Sequence, residues 1–168
     1  MQKTTPRLVL RPFEESDAEA MLRLMRNEQI AHTYMMPDLR DDARAEALFR
    51  RFLDLSHQPE RAVVGMFADG VLVGFMNDTR IEGGEIELGY VVDPAHQGKG
   101  YATEALKGMI EALFDRGFDT VMCGAFEENA ASLRVMEKAG MSPIATTEEI
   151  EYRGVTHRCV YRAITKNG

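Results

Sequence analysis

Val91-Val92-Asp93-Pro94-Ala95-His96-Gln97-Gly98-Lys99-Gly100-Tyr101-Ala102 is the stretch that decides how this chain folds. Two β-branched residues end an apolar run, Asp93-Pro94 breaks it, and Gly98 and Gly100 precede a segment whose Ala102, Ala105, Leu106, Met109, Ile110 and Leu113 recur at helical spacing. The reading is a strand passing through a glycine-rich turn into a helix from about Tyr101 to Arg116, with Gly117 at its C-cap. Small residues let the backbone close around an anion, and the first free N–H groups of the helix point at it with the positive end of the macrodipole behind them. That chemistry suits a pyrophosphate, to which Lys99 adds a point charge while Ala102 keeps the first turn narrow. A plain strand-to-helix turn would also use the glycines for their dihedrals. A dinucleotide fingerprint would need a third glycine where Thr103 stands.

Upstream, Leu8 to Phe13 forms a short strand-like opening, and Ser16 and Asp17 offer N-cap oxygens to a helix reaching about Asn27. Asp41 and Asp42 start a second helix that continues to about Ser56. From Ala62 the period becomes that of sheet: Ala62 to Phe67, an Asp69-Gly70 turn, Val71 to Met76, a Gly83-Gly84 turn, then Glu85 to Val92. Downstream, Thr120 to Phe126 is a strand that should lie parallel to Glu85–Val92, since a helix connects them. A helix from about Asn129 to Ala139 follows, closed by Gly140. The chain then ends in a hairpin, Ser142 to Ile150 and Val155 to Ile164, turning near Arg153-Gly154. A meander, one crossover and a terminal hairpin do not make a doubly wound fold.

Length and composition bound the function. The 168 residues, 45% hydrophobic, suit one domain spanning 1–168. The apolar runs are too short to span a bilayer and Lys3, Thr4, Thr5 and Pro6 open no signal segment, so the expectation is a cytoplasmic protein without membrane association. A net charge of -7 argues against nucleic acid as a partner. Cys123 and Cys159 read as small buried hydrophobes, and the histidines have no metal-ligand spacing, so no metal is assigned.

Gln97-x-x-Gly100-x-Ala102 behind Asp93-Pro94 resembles the acetyl-CoA signature of the GNAT superfamily of N-acetyltransferases. Asn129-x-x-Ser132 leading to Glu137-Lys138-Ala139-Gly140 resembles that superfamily's next helix. Thr5-Pro6-Arg7-Leu8-x-Leu10-Arg11 and Glu87-Leu88-Gly89-Tyr90 are similar to the ribosomal-protein N-terminal alanine acetyltransferase-like branch. The resemblance implies a mixed α/β fold: a mostly antiparallel sheet of seven strands with about four helices, splayed between its fourth and fifth strands, Glu85–Val92 and Thr120–Phe126. It implies acetyl-CoA as cosubstrate, its phosphates on Gln97, Gly98, Lys99, Gly100, Tyr101 and Ala102, its pantetheine arm pairing with the backbone of Val91 and Val92, and Asn129 beside that arm. The Val92 N–H would polarise the thioester carbonyl. A homodimer is left open.

Acetyl transfer needs a neutral amine, which is mostly protonated below about pH 10, and a proton for the departing thiolate. Many members of the superfamily use a tyrosine for the second task where this chain has Met136; the branch uses a serine one turn earlier, which Ser132 matches. Ser132 has a packing residue as its alternative. For the base, Glu87 projects from mid-strand beside Gly89, and Glu151, near the terminal turn, resembles the branch's catalytic glutamate. The irregular segment His32, Tyr34, Met35, Met36 and Pro37, with the terminal hairpin, should build the acceptor pocket. The acceptor is expected to be a primary amine, on a small molecule or a protein N-terminus. The competing expectation is a non-catalytic acyl-CoA-binding module or sensor.

Overall fold

A computed structural model describes residues 1–168. Its strands are β1 (Lys3–Thr4), β2 (Val9–Arg11), β3 (Val64–Ala68), β4 (Val71–Glu82), β5 (Glu85–Val92), β6 (Thr120–Phe126), β7 (Ser142–Tyr152) and β8 (Val155–Thr165). They form one sheet in the order β1-β2-β3-β4-β5-β6-β8-β7. Every pairing is antiparallel except β5 with β6. The helices are α1 (Ala18–Met25), α2 (Glu28–Ala31), α3 (Asp42–Ser56), α4 (Tyr101–Asp115) and α5 (Ala130–Lys138). The mixed α/β class and the crossover are as expected from the sequence.

Three counts or boundaries differ from the sequence reading, each for a local reason. The sheet has eight strands rather than seven, because Lys3–Thr4 adds a two-residue edge strand against Val9 and Leu10, too short to show any alternation. There are five helices rather than about four: Asn27, read as the end of the first, instead caps α2 by accepting from Gln29 N. Strand β4 runs through the polar residues Asn77 to Glu82, well past Met76. Asp78 tolerates burial there because Arg61 donates to both its oxygens and Ala62 N–H donates at 2.7 Å.

The two faces of the sheet are buried differently. Leu88, Ile86 and Val121 pack beneath α4 and α5 with Leu106, Met109 and Met136. Phe75 and Val91, on the opposite face, pack against α1, α2 and α3 through Met21, Ile30 and Phe49. Helix α4 therefore crosses from β5 to β6 over one face only.

Candidate active site

Strands β5 and β6 pair only from Glu85 opposite Thr120 to Leu88 opposite Cys123. Beyond that rung they part, β5 holding to β4 as far as Val92 opposite Gly74 and β6 holding to β8 as far as Phe126 opposite Cys159. Asp93 donates its N–H to Val73 O at 2.8 Å. By the two-residue alternation of an antiparallel ladder, Val91 bonds to β4, whereas the N–H groups of Tyr90 and Val92 face the gap. Of the two residues whose backbone the resemblance sets against a pantetheine arm, Val91 and Val92, only Val92 turns its N–H to the gap, and Tyr90 does the same.

The gap opens into a cleft of about 560 Å³ that runs from the Gln97–Ala102 turn to the irregular segment after α2. At the turn, Gly98 and Gly100 take left-handed conformations, φ 76° and 81°, that side chains disfavour. The first helical bond of α4 is Glu104 N–H to Gly100 O, so the N–H groups of Tyr101, Ala102 and Thr103 stay open at the positive end of the helix. Gln97 fastens the turn by donating from Nε2 to Val92 O at 3.1 Å.

A bracket that the sequence did not reveal holds the turn from outside. Arg7 donates to Lys99 O at 2.7 Å and to Glu104 at 2.8 Å, and its guanidinium lies 4.8 Å from the centre of the Tyr101 ring. Glu104 also accepts from Thr5 Oγ1 and from Arg7 N. Burial alone would push the Glu104 carboxyl up, but the bonds from Thr5 and Arg7 and the Arg7 charge bring it below its ordinary value.

Of the residues expected in the cradle, Gln97, Gly98, Gly100, Tyr101 and Ala102 line the cleft, as do Val91, Val92 and Asn129. Lys99 does not; it is exposed. The cations that line the cleft are Arg134 and Lys138 of α5, four residues apart on one helix face. That spacing was legible in the sequence, but nothing there told which face of α5 meets the gap. Asn129 caps α5, its Oδ1 accepting from Ser132 N at 3.2 Å.

Ser132 lines the cleft with its Oγ 2.9 Å from the Tyr90 hydroxyl. Met136 is fully buried in the core and does not line the cleft. Glu87 also lines the cleft, from the opposite face, where its neighbour Arg80 stands 3.8 Å away and is shared with Glu82 and Glu85. Glu151 does not line the cleft. It is exposed, and strand alternation points it away from the face of Glu148, Ile150 and Tyr152, of which Ile150 lines the cleft.

The acceptor segment divides in the same way. Tyr34 lines the cleft and donates to Asn77 Oδ1 at 2.7 Å; burial pushes its phenol up to about 12, against the pull of that bond. Met35 lines it beside Thr33 and Ile30. His32 instead caps α2 in solvent, and Met36 is buried in the core with its N–H bonded to the Tyr152 hydroxyl. Neither lines the cleft. Tyr161, not anticipated, completes the wall and donates to Glu148 Oε2 at 2.8 Å. Cys123 and Cys159 are both buried, which raises both thiols above their ordinary value, although Cys159 also touches the cleft.

Gly89 and Gly124 are the first residues past the fork. A Cβ on Gly89 would lie 3.2 Å from the Tyr34 ring, and one on Gly124 would lie 2.6 Å from the Tyr161 ring. Glycine at both places thus brings two tyrosine rings down onto the strands. No grouping of His, Cys, Asp and Glu is arranged to hold a metal ion, and no helix is long and apolar enough to cross a membrane.

Residues 7–142 match the family model described as acetyltransferase (GNAT) domain. The probable N-acetyltransferase YjcK of Bacillus subtilis is 29% identical over 143 residues, 79% of each chain. Among solved structures, RimL, the ribosomal L7/L12 alpha-N-protein acetyltransferase, in complex with coenzyme A, superposes with a TM-score of 0.88 at 18% identity over 98% of each chain. Spermidine N-acetyltransferase from Vibrio cholerae, in complex with CoA and spermine, superposes at 0.81 with 19% identity over 96% of each chain.

Proposed function

The chain belongs to the GNAT acetyltransferase family, and from that premise we propose that it carries acetyl from acetyl-CoA directly to a primary amine that reaches the fork as a cation. Family membership makes it an acyltransferase rather than a silent binding module. The observation that carries the finer reading is the distribution of charge along one cleft. Arg134 and Lys138 lie with the open helix end on the donor side, and Glu87 is the one carboxylate in the lining.

The roles follow from which group faces the gap. The pyrophosphate sits on the open N–H groups of Tyr101, Ala102 and Thr103. The pantetheine arm lies along β5 like an added strand, bonded to the inward N–H groups of Tyr90 and Val92. Tyr90 N–H is two residues nearer the apex than Val92 N–H, and so is the better placed of the two to polarise the thioester carbonyl and hold the oxyanion. The amine enters from the face of Tyr34, Tyr161 and Glu87. Glu87 takes its proton, directly or through a water. The neutral nitrogen then attacks the carbonyl carbon, the C–S bond breaks, and Ser132 gives the departing sulfur a proton from the other face.

Base and acid therefore stand on opposite faces of a sheet that is open between them. This keeps the carboxylate from raising the cost of negative charge at sulfur. A primary amine is common to the alpha-N position that RimL's name specifies and to spermine in the Vibrio cholerae enzyme, and either kind of acceptor suits a chamber with a single carboxylate.

Incubating the protein with acetyl-CoA and a panel of primary amines and N-terminal peptides tests this. Thiol release matched by acetylated amine is expected for cationic acceptors, while neutral hydroxyl analogues should remain unreacted. Thiol release matched to no acetylated amine would overturn the acceptor reading.

A further inference from the structure

The Tyr90 hydroxyl lies 2.9 Å from Ser132 Oγ and 3.1 Å from the Ser132 carbonyl oxygen. Tyr90 shares the α5 face with Leu88, two residues earlier, and it extends beyond the last β5–β6 rung, so its ring reaches beneath the open gap to the first turn of α5. Both residues line the cleft. Ser132 is itself fixed by the Asn129 cap. The contact thus joins two rigid elements at the place where sulfur would leave.

A serine hydroxyl carries one proton and rotates, so by itself it has no preference for pointing that proton at sulfur. A donor on Oγ removes the freedom. When Tyr90 donates to Oγ, the serine proton cannot turn back toward Tyr90 and is left for the cleft. When Tyr90 donates to the carbonyl, the serine proton rests on the phenolic oxygen. Negative charge gathering on sulfur favours the first arrangement. Burial, aided by the field of Cys123 and opposed by the bond to Ser132, raises the Tyr90 phenol above its ordinary value, so it keeps its proton and remains a donor.

We infer that Tyr90 is a positioning residue that holds Ser132 Oγ as an acceptor and thereby aims the serine proton at the leaving thiolate. This rests on the reading of Ser132 as the proton donor. As the C–S bond breaks, its electron pair goes to sulfur, the Ser132 proton follows, and the Tyr90 bond steadies the oxygen until solvent returns a proton to it.

The test is Tyr90→Phe, which removes only the hydroxyl, measured beside Ser132→Ala and the double variant with a verified amine acceptor. Tyr90→Phe should lower kcat about tenfold, the scale of one lost hydrogen bond, while KM for acetyl-CoA and the Kd for CoA stay within about twofold. The double variant should be no slower than Ser132→Ala alone, because the two hydroxyls act as one unit. Wild-type kcat in Tyr90→Phe, with Ser132→Ala slow, would overturn the Tyr90 role and leave the acid reading standing. Wild-type kcat in Ser132→Ala would overturn the acid reading and the inference with it. Additive losses, or loss of CoA binding in Tyr90→Phe, would give Tyr90 an independent or merely structural part and overturn the inference alone.

Discussion

Gly89 and Gly124 stand side by side as the first residues beyond the last β5–β6 rung, Leu88 opposite Cys123. Each takes a tyrosine ring against its backbone, Tyr34 on one and Tyr161 on the other. The fork is consequently open to ligand and walled by aromatics at its apex.

Gly124→Ala should damage acceptor use and spare the donor. Its Cβ would come within 2.6 Å of the Tyr161 ring and 3.2 Å of Cys159 Sγ, so the ring must swing into the chamber. The expected result is a fall of roughly tenfold or more in kcat/KM for the amine, corresponding to about 1.4 kcal/mol, with calorimetric CoA affinity unchanged. Weakened CoA binding of the same size would show that Tyr161 does not wall the acceptor side.

Ala102→Glu should abolish CoA binding in a folded protein, because a carboxylate would project at the open N–H groups where the pyrophosphate belongs. Calorimetry and a thermal melt distinguish this from unfolding. An unaltered Kd in a folded variant would move the phosphate site elsewhere.

Ser132→Ala should cost roughly 10² to 10⁴ in kcat if Ser132 supplies the thiolate's proton. The deficit should shrink with a thioester of a more acidic thiol, which needs less help to leave. Steady-state turnover within about twofold of wild type would reduce Ser132 to a helix residue that happens to face the gap.

Glu87→Gln should lower turnover most at the acidic end of the pH range, where more of the amine carries a proton that must be removed. Glu151→Gln should leave the profile untouched, since that side chain is in solvent on the other face of β7. A pH–rate series on both variants decides it, and matching wild-type profiles would remove Glu87 as well.

Glu104→Gln should loosen the Arg7 bracket and reshape the acid limb of stability. The folded carboxyl lies below its ordinary value, so its contribution is fully present above the unfolded pKa of about 4.3 and is lost as pH falls through the folded value. The Tm gap between wild type and variant should therefore be widest near neutrality and close as the pH falls below the unfolded value. A gap independent of pH would mean that packing, not charge, carries the contribution.

The crossover and cradle were legible because they depend on local rules. Glycines at positive φ, a helix start behind them and the alternation of β5 are written in neighbouring residues. Lys3–Thr4 was too short to carry a period, and the polar run after Met76 hid the end of β4, whose buried Asp78 is explained by Arg61 and Ala62, seventeen and sixteen residues away. The acceptor side was the least legible. Which of His32, Tyr34 and Met36 faces the cleft depends on how the segment after α2 leans on the terminal hairpin, and Glu151, read near the terminal turn, lies within β7, whose alternation turns it to solvent. Tyr90 and Ser132, forty-two residues apart, could be joined only once the strands were seen to part.

The Tyr152 hydroxyl donates to Ala31 O at 2.6 Å and receives Met36 N–H at 3.1 Å, clasping the tip of the β7–β8 hairpin to a segment more than a hundred residues earlier. The Gln97–Ala102 turn and the α5 face of Arg134 and Lys138, by contrast, lie in one continuous run, β5 through α5. On the proposed division of the cleft, substitutions in the clasped segments would alter acceptor choice and leave the run from β5 through α5 untouched.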